Sequence, residues 1–472
     1  MSIVSAYVLP HPPLAVPAVG RGQESAIKNT LDALKVVALE IAELMPDTIV
    51  FITPHGTVYS DYFHISPGKV AAGDFARFRA PEAKYETEYD SLMAAEIQNR
   101  AAAHNLPAGT QGEGNSELDH GVLVPMHFIN EKYCAYKSIR VSVSGLDPAA
   151  HYKLGQIIAA SAKQLGKKTV VIASGDLSHK LSKNGSHGFH QDGAVFDKLI
   201  MKYMSEGDFL NLLMMPQKLR NNAAECGYSP SVILAGCLDK TKINSKQLSY
   251  ECPFGVGYGV VSFLCTGVDE SRNFLVQFDM FNLEKTKQIQ ENEDPYRALA
   301  RMSLEYRLKH GKPMEFPKGT DKPIFANSTD WPSEMQNKKA GVFVSLHKNG
   351  ELRGCIGTIS PTTNSIASEI IQNAISAGLK DNRFPQVTLD ELPLITYKVD
   401  VLDAPEEISS KELLDVYNYG IIVESGYKRG LLLPNLDGID TVDEQVDIAK
   451  RKAGIGPLEK VKLKRFRVTR YE

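Results

Sequence analysis

Three histidines lie where predicted strands of the amino-terminal half end. His11 follows the predicted strand Ile3–Leu9, His55 follows Thr48–Thr53, and His179 lies just beyond 169–173. In open α/β sheets, ligands bind beyond the carboxyl ends of the strands, so residues far apart in sequence converge there. Prolines flank His11, and Pro54 and Gly56 flank His55, which restricts the local backbone and suits a metal ligand. The spacing therefore indicates a shared site for these imidazoles.

A carboxylate that could complete a metal site lies at Glu225, just before the apolar, helix-like segment 232–238. Two imidazoles and one carboxylate leave neighbouring coordination positions open, as Fe(II) needs in order to bind both a substrate and dioxygen. Zinc accepts the same ligands. A structural role for these residues is an equal alternative from spacing alone, because they form no compact ligand motif.

The elements around these residues predict an α/β domain. Short β-rich apolar runs alternate with stretches in which apolar residues recur every three or four positions. Further predicted strands are 139–143 and 255–265, and predicted helices are 24–44, 89–104 and 194–204. We therefore expect a sheet whose faces are covered by helices.

A second, smaller domain is predicted after a polar segment. We place the first domain at 1–268, a linker at 269–293 and the second domain at 294–472. Asp294 and Pro295 predict a helix start, with an acidic N-cap and proline at the first helical position. Predicted strands at 341–346, 395–401 and 420–423 and a predicted helix at 365–379 have the mixed spacing of an α+β domain.

The composition is that of a soluble globular protein. The 472 residues are 43% hydrophobic and carry a formal net charge of -3, so no nucleic-acid partner is expected. No apolar run approaches the roughly 20 residues that span a bilayer, and we expect a cytoplasmic protein without a membrane partner. The six cysteines include no C-x-x-C pair, which argues against a disulfide framework.

Four short motifs, in this order and together with the early His11, resemble the LigB-type class III extradiol ring-cleavage dioxygenases. The resemblance covers residues 1–268. The motifs are Thr53-Pro54-His55-Gly56, Asp119-His120-Gly121-Val122-Leu123-Val124-Pro125, Ser174-Gly175-Asp176-Leu177-Ser178-His179 and Glu225-Cys226-Gly227.

The resemblance implies that His11, His55 and Glu225 bind Fe(II), with zinc as the alternative metal. His179 then becomes the acid–base residue, because an imidazole titrates near neutral pH. His120 would hydrogen-bond the substrate or a metal-bound oxygen. The implied reaction is the cleavage of a catecholic or aminophenolic ring with O2.

Cys226 departs from this pattern. A cysteine directly after Glu225, and Asp176 three residues before His179, also resemble the Memo proteins, whose metal site uses histidines and a cysteine. Cys226 is thus a rival ligand, and a thiolate would favour softer metals and different redox chemistry. Successive side chains of an extended segment point to opposite sides, so we expect one of the two residues to face the metal, and we favour Glu225.

The second domain resembles the AMMECR family through Arg353-Gly354-Cys355-Ile356-Gly357. Supporting matches are Asp381-Asn382-Arg383-Phe384-Pro385 and Arg429-Gly430-Leu431-Leu432-Leu433-Pro434. The guanidinium of Arg353 could bind a carboxylate or phosphate through two N–H groups, and Cys355 could be a nucleophile. The alternative is a structural hairpin in which Arg353 pairs internally and Cys355 is packed.

The combined resemblance implies two competing functions. The first is a dioxygenase with a small aromatic substrate and O2. The second is a Memo-like metal protein that performs a modification or redox task with a radical-SAM partner, without ring cleavage. Self-association into a homo-oligomer is left open.

Overall fold

The computed structural model describes residues 2–114, 117–317, 330–436 and 438–472. The chain forms two compact units, Met1–Asp279 and Met280–Glu472. No helix among the described residues is both long and apolar enough to cross a membrane.

The first unit is an α/β structure built on one six-stranded sheet. Its strands are β1 (Ile3–Leu9), β2 (Thr48–Thr53), β3 (Phe63–His64), β4 (Val70–Phe75), β5 (Ala80–Glu88), β6 (Ala108–Gly109), β7 (Lys137–Ser142), β8 (Thr169–Ser174), β9 (Thr241–Glu251) and β10 (Tyr258–Val268). Its helices are α1 (Pro17–Gly20), α2 (Lys28–Leu44), α3 (Ser91–Ala103), α4 (His120–Asn130), α5 (Pro148–Gln164), α6 (Gln191–Glu206), α7 (Phe209–Leu213), α8 (Gln217–Ala223), α9 (Tyr228–Cys237) and α10 (Phe274–Glu291).

The main sheet is mixed, with the order β7-β2-β8-β1-β10-β9. The four strands β7, β2, β8 and β1 are parallel, β10 pairs antiparallel with β1, and β9 pairs antiparallel with β10 and so runs in the same direction as the first four. Alternate residues of β2 enter opposite cores: Val50 and Ile52 pack with α3, α5 and α9, whereas Ile49 and Phe51 pack with α2 and α4. The sheet is therefore buried on both faces, as its continuously apolar strands predict.

The parallel arrangement brings three strand ends to one edge. His11 follows β1, His55 follows β2, and the segment to His179 follows β8, which lies between β1 and β2 in the sheet. Leu9 and Ser174 are direct neighbours in the register of β1 and β8. The predicted convergence of strand ends is thus present in the fold.

The second unit is an α+β structure. Its strands are β11 (Gly341–Lys348), β12 (Glu351–Gly357), β13 (Ile395–Leu402), β14 (Glu406–Ile408), β15 (Gly420–Ser425), β16 (Lys428–Leu432), β17 (Lys462–Phe466) and β18 (Val468–Tyr471). Its helices are α11 (Pro295–His310), α12 (Ser333–Asn337), α13 (Ile366–Leu379) and α14 (Val442–Lys452). Antiparallel strands form two sheets, β12-β11-β13-β18 and β14-β17-β15-β16. Asp294 caps α11, and its side chain accepts hydrogen bonds from the N–H groups of Tyr296 and Arg297.

The segment 269–293, predicted as a polar linker, contains the 18-residue helix α10. Phe278 of α10 is buried in the core of the first unit, with Phe274 and Leu275 packed beside it. The boundary between the units falls inside this helix, between Asp279 and Met280. The buried side chains of its middle part, Phe278, Asn282 and Thr286, lie four residues apart, and only one of them is apolar. The segment therefore has the polar composition from which a linker was predicted.

Two glycines let α5 and α9 cross closely, and α9 begins just after the Glu225-Cys226 pair. A Cβ at Gly155 would overlap the backbone of α9 at Ile233, and one at Gly236 would overlap the carbonyl of Tyr152. Backbone atoms cannot move aside as the end of a flexible side chain can.

We expect Gly155→Ala to lower the free energy of unfolding of the first unit by about 1–3 kcal/mol, because an overpacked core must shift its backbone. Gly267→Ala is the matched control, since its new Cβ would meet only Cβ of Lys242 at 3.9 Å. Urea unfolding curves compare the two variants. Equal stability of both would show that the α5–α9 crossing is looser in solution.

Candidate metal centre

His11, His55 and Cys226 bring their ligand atoms together at the strand-end edge of the main sheet. These three atoms all lie within 4.8 Å of one another. Nε2 of His11 lies 3.1 Å from Nε2 of His55 and 3.6 Å from Sγ of Cys226. Nitrogen and sulfur ligands placed tetrahedrally around a zinc-sized ion would be roughly 3.3–3.6 Å apart. The two separations from His11 are close to these values, and all three atoms lie near enough together that the residues could hold a metal ion.

His11 is oriented by its second ring nitrogen. Its Nδ1 lies 3.0 Å from Oγ of Ser174, and that hydroxyl donates to the carbonyl of Gly121. Because the hydroxyl proton is used there, we assign the His11–Ser174 bond as Nδ1–H donating to Oγ. Nε2 then carries the free lone pair that faces His55 and Cys226. This is the arrangement that fixes the tautomer of metal-binding histidines.

Asp176 supports both His11 and Cys226 through the backbone. Its Oδ1 accepts a hydrogen bond from the N–H of His11 at 2.9 Å, and its own N–H donates to Sγ of Cys226 at 3.3 Å. Burial raises the pKa of the Asp176 carboxyl to about 7, while the His11 N–H opposes that rise. The segment after β8 thus positions two of the three metal-ligand candidates.

The structure brings Cys226, rather than the favoured Glu225, close to the two imidazoles. The Glu225 carboxylate accepts a hydrogen bond from the N–H of Tyr228 at 2.6 Å, at the start of α9. An anion is stabilised there, because the first N–H groups of a helix have no partner within the helix. Burial raises the pKa of Glu225 to about 7, and the Tyr228 N–H works against that rise. Which of the two residues binds a metal stays a prediction.

The predicted catalytic histidines lie around this cluster. His120 begins α4, and its ring stacks on that of His55 with centroids 4.3 Å apart. Burial, followed by the neighbouring His55, lowers the pKa of His120 to about 4. His179 is half-buried, and its charge is one of the contributions that lower the pKa of His11.

A cleft of about 400 Å³ opens beside His55 and His120. Phe78 forms part of its wall, with its ring centroid 5.6 Å from that of His120. Two arginines and three carboxylates add polar groups to the lining: Arg77, Arg140, Asp74, Glu117 and Asp119. The cleft offers an aromatic wall and hydrogen-bonding groups next to the candidate ligands.

No motif or spacing in the sequence predicted this wall. Phe78 and Arg77 follow β4 in the β4–β5 hairpin, away from the strand ends that marked the histidines. Ser174 was also missed as a support for His11. Its position as the last residue of a buried strand, next in register to the end of β1, was the available signal.

In the second unit, the Arg353-Gly354-Cys355-Ile356-Gly357 segment lies on β12. Arg353 makes a bidentate ion pair with Glu391, with nitrogen–oxygen distances of 3.1 and 2.9 Å. Burial alone would raise the pKa of Glu391, but Arg353 and Lys348 lower it to about 2. Sγ of Cys355 accepts a hydrogen bond from Ser345 at 3.1 Å. These contacts match the structural-hairpin interpretation.

Both glycines of that segment permit close packing. A Cβ at Gly354 would overlap the carbonyl of Ala377 in α13, and one at Gly357 would overlap the ring of Phe343. Gly354 therefore lets β12 lie directly against the helix that covers its sheet.

Comparison with known proteins gives the family of each part. Residues 5–261 match the family model for the catalytic LigB subunit of aromatic ring-opening dioxygenase, and residues 297–472 match the AMMECR1 family model. The chain belongs to the LigB family, with an AMMECR1 domain fused after it. The predicted LigB/Memo-like plus AMMECR fusion is thereby confirmed.

One relative matches the whole chain, and another matches only a part of it. Protein CA_C1420 of Clostridium acetobutylicum is 39% identical over 479 residues, covering 100% of both chains. A Thermotoga maritima protein is 44% identical over 182 residues, which are 38% of this chain and 98% of that protein.

Two crystal structures are also similar to parts of the chain. PH0010 of Pyrococcus horikoshii has 33% identity and a TM-score of 0.33, covering 37% of this chain and 88% of that one. JW3007 of Escherichia coli K12 has 14% identity and a TM-score of 0.37, covering 55% and 99%.

We expect Ser174→Ala to weaken metal binding by about 10- to 100-fold, because His11 loses the partner that fixes its tautomer. Ser161→Ala is the control, since Ser161 is also buried but donates to the carbonyl of Ile157 within α5. Competition with a chelator of known affinity measures both variants. Equal affinities would mean that Ser174 does not orient a ligand.

Metal affinity should rise with pH. Burial raises the pKa of the Cys226 thiol well above its ordinary value, whereas burial and the neighbouring histidines lower that of His11. Metal binding must then release the thiol proton, while His11 has none to lose at Nε2. We expect the logarithm of the association constant to increase by about one per pH unit between about pH 6 and 8.

The matched pair for this experiment is Cys226→Ser and Cys134→Ser, the second at an exposed cysteine. Calorimetric titration at several pH values should show the slope in Cys134→Ser and a flattened one in Cys226→Ser. A full slope in Cys226→Ser would assign the released proton to another group.

Proposed function

We propose that the first unit is a metal-dependent enzyme whose single transition-metal ion is held by His11, His55 and Cys226. The approach of Sγ of Cys226 to the two imidazoles is the observation that carries this proposal. Two imidazoles and one thiolate suit zinc, copper or iron, and the soft thiolate shifts preference away from a purely oxygen-and-nitrogen iron site. A metal bound there would supply a Lewis acid or redox centre with open coordination positions.

The substrate class that fits the adjoining cleft is a small aromatic molecule. The rings of His120 and Phe78 line one side of the cleft and offer a surface for a planar ring. The volume of about 400 Å³ is that of a pocket for a compact ligand. His120 is neutral near pH 7, since its pKa is lowered to about 4, and it can donate or accept one hydrogen bond to the substrate.

His179 is the acid–base residue of the proposed site. Burial and then His187 lower the pKa of His179, so its ring is unprotonated near neutral pH and is able to accept a proton from a substrate hydroxyl. The reaction we propose is a modification or redox step of the Memo kind. A radical-SAM protein is the proposed partner, supported by the fusion of the LigB and AMMECR1 families in one chain.

Ring cleavage by a class III extradiol dioxygenase is the second candidate. It is favoured by the LigB family match over residues 5–261 and by the presence of His120 and His179 beside the cluster. In that case Fe(II) would need a carboxylate from Glu225, which would have to leave the N–H of Tyr228.

The decisive experiment compares Cys226→Ser with Glu225→Gln in protein purified without oxygen. Our proposal predicts about one metal ion per chain in the native protein and in Glu225→Gln, with most of it lost in Cys226→Ser and in His11→Ala. Elemental analysis measures the content. Metal loss in Glu225→Gln with retention in Cys226→Ser would reverse the assignment.

An oxygen electrode with a panel of catechols and aminophenols then separates the two functions. Oxygen uptake with formation of coloured ring-cleavage products by the iron-loaded protein would support the dioxygenase. Absence of uptake in protein that holds its metal through Cys226 supports the Memo-like assignment.

A further inference from the structure

The backbone that carries His179 is held on two sides. The N–H of Leu177 donates to the carbonyl of Gly257 at 2.8 Å, and the N–H of Gly257 donates to Ser178 at 2.9 Å. On the other side, the N–H of His179 donates to Ala223 at 3.0 Å. The main chain at His179 is therefore fixed, and the orientation of its ring depends on the groups that touch the ring.

A neighbouring ring covers the imidazole of His179. The ring of His187 stacks on one face, with centroids 5.0 Å apart and an interplanar angle of 29°. The backbone at Ala224, which is left-handed with φ of 52°, acts in the opposite direction to burial and raises the pKa of His179. His187 therefore covers one face of the ring.

His187 is presented by a loop with fixed ends. Leu181 and Phe189 form a β-bridge, and the N–H of His190 donates to the carbonyl of Lys180 at 3.0 Å. Between these ends, His187 is exposed, and its Nδ1 lies 2.9 Å from Oγ of Ser186. The stacked pair therefore has a half-buried ring at the candidate site and a second ring in contact with water.

We propose that His187 is a positioning residue that acts through His179, covering one face of the acid–base imidazole with a second, water-exposed ring. This inference rests on the proposed role of His179. It adds a residue from outside the motifs that define the LigB-type site.

The charge of the pair follows from its neighbours. The titratable groups that interact with His179 are His187 from the loop, His55 from the end of β2 and His11 from the end of β1. Burial contributes most to lowering the pKa of His179, and His187 contributes next. Whenever His187 holds a proton, a second proton on His179 is disfavoured by repulsion between like charges.

The test follows the titration of His179 by NMR in the full chain with 13C-labelled histidine rings, metal-free and zinc-loaded. His179→Gln assigns the signal. We expect H187A and H187F to raise the midpoint of the His179 titration by about half a pH unit, because both remove the charge of a protonated His187. A unit charge about 5 Å away in a water-like dielectric opposes a second proton by that amount. H187F retains an aromatic ring against His179, so it tests the effect of the charge even if the loop loses its structure in H187A. N184A, at an exposed residue of the same loop, is the matched control and should leave the midpoint unchanged.

An unchanged or lowered midpoint in both His187 variants would overturn the inference, as would an equal rise in N184A. The metal-free titration needs no bound ion, so its result is independent of the proposed function. A raised midpoint in a chain that binds no metal would keep the histidine pair and remove the metal enzyme. Metal binding in a chain whose His179 midpoint does not move in the His187 variants would keep the metal enzyme and remove the histidine pair.

Discussion

The close approach of two glycines is the constraint on which the candidate centre depends. A Cβ at Gly175 would overlap the Cα of Gly227, so the segment after β8 and the segment before α9 touch without intervening side chains. Asp176 and Cys226 then form a reciprocal pair, in which each N–H points at the other residue at 3.3 Å. That contact fixes Sγ of Cys226 at 3.6 Å from Nε2 of His11. A larger residue at either glycine would move the thiol away from the imidazoles.

Glu225 and Cys226 have different contacts because of the helix that follows them. Every residue of α9 except Ser229 is buried, so its first N–H groups have little access to water and need partners from the protein. The Glu225 carboxylate meets that need at the N–H of Tyr228. The next side chain then points to the opposite side, toward His11. Stabilising the helix start and facing the imidazole of His11 are therefore tasks for adjacent residues, and the two cannot be exchanged without leaving N–H groups unpaired.

Much of the fold could be predicted from sequence because its signals are local. The continuously apolar strands β1, β2 and β8 identified the buried sheet, and the Asp294-Pro295 pair identified the start of α11. The convergence of His11 and His55 followed from a general property of parallel strands. The choice between Glu225 and Cys226 did not follow, because it depends on the direction of α9 and on a backbone contact between residues about 50 positions apart. Helix α10 was missed for a related reason, since Phe278 is buried by a core whose other residues are distant in sequence.

The donor atoms of the centre are held in their uncharged forms by the same burial that shapes it. Burial lowers the pKa of His11 and raises that of Cys226, so neither carries a charge near neutral pH without a cation beside it. Burying a neutral imidazole at His11 and a neutral thiol at Cys226 costs far less free energy than burying an imidazolium or a thiolate, so these side chains can be in place before a metal arrives. A cation bound by Cys226 would replace the thiol proton, and its positive charge would compensate the thiolate that burial disfavours. A preformed neutral site with one exchangeable proton therefore links metal binding to proton release. The half-buried His179 lies close enough for its charge to influence His11.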